Sequence, residues 1–222
     1  MVNDAASIAA SAGVSLKKVV RSSVNPITGL SHLMKDFETS EIIMGYHLTD
    51  GHAADSLGSM TLEMLTTISR QITIIHITRP LNTLRRIHVV VPPGAEKEAG
   101  FIRWLNHVLR LGRQLDCQMA FHCGKEAWTL IQERQRKHYG KVKAFLHPFS
   151  DYNRLDDLRR DVNDDHMVVF VAARSGSPSY HPLMGKLPAT VATDYRGISA
   201  MIIYPDQYGV ENRNTAFTTG LK

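Results

Sequence analysis

Short apolar runs alternate with segments of helical periodicity along the whole chain. The apolar runs predict strands at 15–21, 41–47, 71–77, 87–91, 117–123, 142–146, 166–173 and 200–204. The segments with helical spacing predict helices at 4–12, 26–36, 59–69, 96–114, 125–138, 153–162 and 187–194. Strands that alternate with helices in this way are typical of a parallel sheet covered by helices. The pattern therefore predicts an α/β fold.

The same pattern occurs twice, on either side of a polar, basic link at 79–86. Residues 81–222 predict a complete unit with five parallel strands. Residues 1–80 predict only the back portion of such a unit, so the first copy lacks its front end. We interpret the chain as two tandem units, 1–80 partial and 81–222 complete, within a longer parent chain.

Composition places the chain among ordinary globular proteins. Of its 222 residues, 43% are hydrophobic and 21% are charged, which excludes a disordered polypeptide. No apolar stretch reaches the length needed to cross a bilayer, and the N-terminus lacks the basic start of a signal peptide, so a cytosolic location is expected. Cys117 and Cys123 share a predicted strand at roughly 20 Å separation, which predicts free thiols in a reducing compartment.

The charge balance gives a formal net charge of +5. It is compatible with an ordinary basic surface or with an anionic partner, namely a nucleotide, nucleic acid or the inner membrane face. Nucleic acid is disfavoured because no aromatic residues are interleaved with the basic ones. The basic segment Arg134 to Lys143 either complements a helix C-terminus or contacts anionic lipid.

The eleven histidines form no ligand spacing such as His-x-x-x-His on a predicted helix, so no metal site is expected. His47, His76, His88 and His122 are interpreted as strand residues at the ends of the sheet. As a group the histidines could still sense pH, because imidazole titrates near neutrality. No nucleophile lies beside a base in sequence, and we predict no catalytic residue and no enzymatic activity.

A loop of small residues follows the strand at 166–173, where open α/β sheets commonly bind ligands. Arg174, Ser175, Gly176 and Ser177 could hold an anion through the guanidinium, the hydroxyls and main-chain N–H groups. The alternative is a turn in which the hydroxyls satisfy local main-chain groups.

Residues 41–77 carry a first family resemblance. A strand ends at Gly45, which is followed by two residues, Leu48, nine residues and then Gly58-Ser59. This spacing resembles the nucleotide loop of universal stress proteins, in which a second Gly stands where this chain has Leu48. The family also uses Val-Pro-x-Asp after its first strand, where this chain has Val91-Pro92-Pro93-Gly94. The resemblance implies a universal-stress-protein-like (adenine nucleotide alpha-hydrolase-like) fold, with Gly45, Gly58 and Ser59 as ligand candidates and ATP or another adenine nucleotide as the cofactor to consider.

The second unit resembles a narrower group. Four segments are similar, in order and spacing, to the cytoplasmic tail of bacterial monovalent cation:proton antiporters, especially those of the Bacteroidetes type. These segments are 80–101, 164–165, 172–180 and 202–207. The resemblance implies a non-catalytic regulatory domain of a membrane Na⁺ or K⁺:proton antiporter, on the cytoplasmic side of the inner membrane. Its partner would be the transmembrane portion of the same chain. The alternative is a stand-alone universal stress protein that binds ATP or AMP.

Universal stress proteins commonly pair through their last strands. The resemblance therefore implies that 72–77 and 201–204 pack against each other, either within one chain or between the chains of a homodimer.

Overall fold

The computed structural model describes residues 2–11, 13–45 and 58–208. Within this part of the chain the strands are β1 (Glu41–Gly45), β2 (Gln71–His76), β3 (Arg86–Val90), β4 (Gln118–Cys123), β5 (Ala144–Pro148), β6 (His166–Val171) and β7 (Ser199–Tyr204). The helices are α1 (Val2–Ser11), α2 (Pro26–Asp36), α3 (Gly58–Thr67), α4 (Phe101–Leu115), α5 (Lys125–His138), α6 (Leu155–Arg159) and α7 (Leu187–Thr193). The predicted α/β class is confirmed.

All seven strands form one continuous sheet in the order β1-β2-β7-β6-β3-β4-β5. Each neighbouring pair is parallel except β2 and β7, which are antiparallel. The predicted pairing of 72–77 with 201–204 is thereby confirmed within a single chain. The division into units at residue 80 stays an interpretation, because the sheet runs through both parts without interruption.

Helices cover both faces of the sheet and enclose two apolar cores. On one face α2, α3, α6 and α7 bury Met34, Met64, Leu158 and Leu187 against the strands. On the other face α4 and α5 bury residues that include Trp104 and Ile131. Strand β6 lies at the centre and is buried along its whole length. Such a strand must be apolar on both sides, which explains its near-continuous hydrophobic sequence.

Helix α2 shows how local sequence determines an element. The Asn25 side-chain oxygen accepts hydrogen bonds from the main-chain N–H groups of Ile27 (2.8 Å) and Thr28 (3.2 Å). Pro26 occupies the first turn, where its missing N–H costs no hydrogen bond. The helix therefore begins and ends where the sequence predicted.

Two predicted elements were wrong. Residues 15–21 form no strand, and their side chains are exposed. Their apolar residues Leu16, Val19 and Val20 are exposed, and an apolar run alone cannot satisfy main-chain hydrogen bonds. The helix predicted at 96–114 instead begins at Phe101, after a short 3₁₀ turn at Ala95–Lys97.

Both cysteines are buried free thiols, as predicted. Cys123 packs in the core beneath α4 and α5. Burial raises the pKa of its thiol to about 12, with a further contribution from the charge of Glu96. The thiol therefore stays protonated at neutral pH. Across the described residues, none of the helices combines the length and the apolar character that crossing a bilayer requires.

Candidate functional site

The carboxyl ends of β3 and β6 form the topological switch point of the sheet. These strands are neighbours, and their crossovers depart to opposite sides, α4 leading to β4 and α7 leading to β7. Open α/β sheets bind ligands in the crevice that such an arrangement creates. The predicted Arg174–Ser177 loop leaves β6 at this point, so the structure places it beside the expected crevice.

Arg174 points into the protein. Its guanidinium donates hydrogen bonds to the main-chain carbonyls of Leu65 (3.1 Å), Arg70 (2.8 Å) and Pro205. Burial lowers the pKa of Arg174 to about 10, opposed by the negative charge of Asp206, so the group stays charged at neutral pH. The loop is thus held to the main chain of two other segments.

The remaining candidates of this loop lie at the surface. Ser175 and Gly176 are exposed and Ser177 is half-buried. The N–H of Ser177 donates to the carbonyl of Arg174 at 3.0 Å, and Gly176 takes a φ of 87°, which glycine adopts at little cost. The loop is a tight turn whose serines are more exposed than the buried Arg174.

The protein's own groups make contacts across the crevice. Glu98 accepts hydrogen bonds from the N–H (3.2 Å) and the hydroxyl (2.5 Å) of Ser179, joining the connections that follow β3 and β6. A Cβ atom at Gly94 would lie 3.2 Å from the carbonyl oxygen of Pro178. The two connections therefore touch where a ligand would have to enter.

A buried ionic cluster closes the adjoining space. Asp206 is fully buried, with its Oδ2 atom 3.5 Å from Arg70 Nη1 and 3.6 Å from Arg103 Nε. Its other carboxylate oxygen accepts the N–H of Tyr208 at 2.9 Å. A Cβ atom at Gly100 would lie 2.6 Å from the main-chain nitrogen of Asp206, so only glycine fits there. No pattern in the sequence indicated this cluster, because its members are far apart along the chain.

The other predicted ligand residues lie at the carboxyl end of β1. Gly45 is the last residue of β1 and pairs with Ile75. Gly58 and Ser59 are the first two residues of α3. Residues 46–57, which include Leu48 and His47, lie outside the described residues. The structure therefore locates both ends of the glycine loop without describing the loop.

A chain of histidines, three of them buried and the fourth, His147, exposed, crosses the face of the sheet that α6 covers. His88 of β3 lies between His166 of β6 and His122 of β4, with His88 Nε2 3.0 Å from His166 Nδ1 and His88 Nδ1 3.1 Å from His122 Nε2. His147 of β5 extends the row, its ring centroid 4.8 Å from that of His122. We call these four residues the histidine chain. The interpretation of His88 as a residue at a sheet end was wrong, because it is the central residue of β3.

The hydrogen bonds determine which nitrogen of each ring carries the proton. The main-chain N–H of Asn163 donates to His166 Nδ1 at 3.2 Å, so this atom is an acceptor and His88 Nε2 must donate to it. His88 Nδ1 is then an acceptor for His122 Nε2. His166 and His88 are therefore neutral and protonated on Nε2, His122 donates from its own Nε2, and the hydrogen bonds run in one direction towards β6.

The surroundings favour these neutral forms. Burial, followed by the charges of His122, His166, Arg86 and His147, lowers the pKa of His88 to about 3. Burial and the charge of His147 lower the pKa of His122 to about 4, opposed by Asp161. Burial also lowers the pKa of His166, opposed by Asp165 and a hydrogen bond to the Asp161 carbonyl, while Arg86 acts in the same direction as burial.

A depression of about 260 Å³ opens beside one end of the histidine chain. Its walls include His122, His147, Asp151, Arg154, Asp157 and Asp161. No group of three or more His, Cys, Asp or Glu residues has a metal-binding arrangement in the described part of the chain. One feature of the sequence could have indicated the histidine chain: three apolar strands each contain a histidine.

Comparisons with known proteins identify the fold. No family model and no curated protein matches the chain. A universal stress protein from Archaeoglobus fulgidus DSM 4304 is 12% identical, with a TM-score of 0.61, and the match covers 93% of this chain and 75% of that one. A functionally unknown protein from Pseudomonas aeruginosa PAO1 is 13% identical, with a TM-score of 0.56, and the match covers 93% of this chain and 77% of that one. A proposed universal stress protein from Pseudomonas aeruginosa UCBPP-PA14 is 12% identical, with a TM-score of 0.55, and the match covers 93% of this chain and 78% of that one. The chain thus has a universal-stress-protein-like α/β fold.

Proposed function

We propose that the chain is a non-catalytic regulatory module. The observation that carries this proposal is the closed crevice at the switch point. Glu98 is hydrogen-bonded to Ser179 and Pro178 lies against Gly94, so the two connections contact each other at the crevice where a nucleotide would bind. Arg174, the cation that could have met a phosphate, is occupied by three main-chain carbonyls.

The more specific proposal is a cytoplasmic regulatory domain of a membrane Na⁺ or K⁺:proton antiporter. The position in the fold of the segments that resemble such tails supports this proposal. Segments 80–101, 172–180 and 202–207 lie far apart in the chain, yet Gly94 meets Pro178 and Gly100 meets Asp206 at one place in the fold. A resemblance spread over separate segments is more persuasive when these segments build one structural feature.

The partner in this proposal is the transmembrane portion of the same parent chain, at the inner membrane. A basic surface supports a position beside anionic lipid. Arg85, Arg113, Lys141 and Lys143 are exposed and surround a depression of about 300 Å³ whose rim contains a single acid, Asp116. Cations from three separate segments converge there, which favours contact with lipid phosphates.

Two measurements test the antiporter assignment. The open reading frame that encodes the 222 residues should also encode a run of apolar spans, and a frame without them contradicts the assignment. If the spans are present, cation:proton exchange in inverted membrane vesicles should persist without the 222 residues but show an altered pH profile or rate. An unchanged profile would contradict a regulatory role.

The alternative function is that of a stand-alone universal stress protein binding ATP or AMP. The spacing of Gly45 and Gly58-Ser59 favours it, because Gly58 begins α3 and main-chain N–H groups at a helix start can bind phosphate. Calorimetric titration with ATP and with AMP separates the two functions. We expect no binding heat; micromolar binding that is lost in Gly58→Val and retained in the control Gly140→Ala would favour the alternative.

The absence of catalysis is tested separately. Purified protein incubated with ATP and Mg²⁺ should release no phosphate above the uncatalysed rate. Phosphate release that Ser175→Ala and Ser177→Ala both abolish would contradict the non-catalytic proposal, because it would assign chemistry to the exposed turn.

A further inference from the structure

The histidine chain has no part in the proposed regulatory function, and a structural role alone does not require four adjacent imidazoles. Buried rows of this kind are expected to be apolar in a central parallel sheet. Here His88 is 1% exposed and His122 is 6% exposed, so each ring has lost its hydration and relies on its neighbours.

We propose that the histidine chain is an acid sensor which, on taking up protons, releases the connection between β5 and β6, residues 149–165, from the sheet.

The first step of the argument is the direction of the hydrogen bonds. Each internal Nδ1 atom of the chain is an acceptor, so a second proton on a ring places one N–H group against another. At His166 the new N–H would oppose both the Asn163 main-chain N–H and the His88 Nε2–H. Protonation therefore breaks the contact between Asn163, which belongs to the connection, and the sheet.

The second step is the charge that faces the rings. Arg86 of β3 adds positive charge near His88 and His166. The carboxylates that could compensate are Asp165, 3.6 Å from His166 Nε2, and Asp161 near His122, both carried by the connection. Asp151, Arg154 and Asp157 line the depression beyond His122 and His147. No carboxylate is hydrogen-bonded to the central ring, His88, among the described contacts.

The third step is the crowding of the rings themselves. Their centroids are 5.3 Å apart between His88 and His122 and 5.0 Å apart between His88 and His166. Two imidazolium ions at this spacing repel each other strongly in a buried site. Opening of the connection relieves the repulsion for all rings together, which makes proton uptake cooperative.

The size of the effect follows from linkage. A released imidazole has an ordinary pKa near 6.5, so at pH 5.5 its protonation favours the released state about 11-fold, and three rings favour it about 10³-fold. At pH 7.5 the combined factor is only about 1.3. The release equilibrium should therefore shift by nearly three orders of magnitude over these two pH units.

The connection is suited to local release. It is anchored by Tyr152, whose hydroxyl donates to the Val171 carbonyl at 3.0 Å, and by buried Leu155, Leu158 and Val162. Its helix α6 has only five residues. The depression beside His122 separates part of the connection from the ends of β4 and β5 and gives protons a route to the rings.

The test is hydrogen–deuterium exchange of the purified 222-residue protein at pH 7.5 and pH 5.5, corrected for the intrinsic exchange rate. We expect amides of 152–163 to lose protection by about 10²- to 10³-fold at the lower pH, while α4 keeps its protection. Protection that does not depend on pH, or that falls equally in α4, would overturn the proposal.

Two further measurements make the test independent of a single variant. His88→Gln keeps a donor and an acceptor but cannot titrate, so the pH-dependent loss of protection should shrink by about tenfold or more, whereas exposed His32→Gln should leave it unchanged. In the unaltered protein at pH 7.5, imidazole ¹⁵N spectra should show His88, His122 and His166 as neutral Nε2–H forms. Charged rings at that pH would overturn the proposal even if the variant did not fold.

Discussion

Ile74 of β2 lies directly opposite Ile202 of β7 in the antiparallel ladder that joins the first part of the chain to the last. Both strands are interior, since β2 also pairs with β1 and β7 also pairs with β6. The pairing that the resemblance implied, within a chain or between chains, is therefore made inside one chain.

Light scattering tests the oligomeric state that follows. Because neither β2 nor β7 has a free edge, a homodimer cannot form through these strands, and the protein should have the 24.8 kDa mass of a monomer at all concentrations. A dimer that survives dilution would contradict this expectation and would implicate the outer edges of β1 or β5.

Removal of the buried charge of Asp206 should strongly destabilise the protein. In Asp206→Asn the carboxylate that faces buried Arg70 and half-buried Arg103 becomes neutral, so both cations lose the negative charge of Asp206. We expect the free energy of unfolding, measured by urea denaturation, to fall by about 3 kcal/mol. The matched control is exposed Asp164→Asn, which should change it by less than about 0.5 kcal/mol. Equal effects of the two substitutions would show that the cluster contributes little.

Gly100→Ala should destabilise the fold by a steric mechanism. The added Cβ would lie 2.6 Å from the main chain of Asp206, which cannot move without disturbing the ionic cluster. A loss of about 2 kcal/mol or more is expected in the same urea assay. At Gly140 the nearest atom would be 3.7 Å away, an ordinary contact, so Gly140→Ala should be close to neutral. A neutral result at Gly100 would mean that Pro205 and Asp206 can shift away.

Global stability should decrease in acid because of the histidine chain. The pKa values of His88 and His122 are lowered to about 3 and about 4 in the fold. Between these values and about 6.5 the unfolded chain binds protons that the folded chain does not, so stability falls as pH falls. The expected slope from these two groups is about 2.7 kcal/mol per pH unit near pH 5.

Urea titrations at a series of pH values measure this slope. His88→Gln should reduce it by about 1.4 kcal/mol per pH unit, since one titrating group is removed. His32→Gln, on the exposed side of α2, should leave the slope unchanged. A slope that both substitutions reduce equally would assign the effect to histidines in general.

The sequence predicted elements whose ends are determined locally. Helix α5 begins and ends at the predicted residues, and α2 does so because Asn25 and Pro26 define its first turn. The predicted strand at 15–21 was wrong because a strand needs a partner, which a short apolar run does not reveal. Helix α4 begins later than predicted because the backbone of Glu98 is extended (φ −77°, ψ 136°) after the 3₁₀ turn.

The histidine chain and the ionic cluster were not predictable from the sequence. Their members become neighbours only through strand order and register: His166 lies opposite Arg86, two residues from His88, and His122 lies opposite Val90. Asp206 meets Arg70 across 136 positions of sequence. Long-range register of this kind depends on the whole packed sheet, whereas capping and periodicity depend on a few adjacent residues.

The contact between Glu98 and Ser179 affects which signals such a module could respond to. A crevice open to nucleotides reports the concentration of a metabolite, and its occupancy changes with the energy supply. In the proposed module this space is taken by two of the protein's own side chains, so its state would be independent of nucleotide levels. Signals would then arrive through its attached partner and through the proton concentration around it.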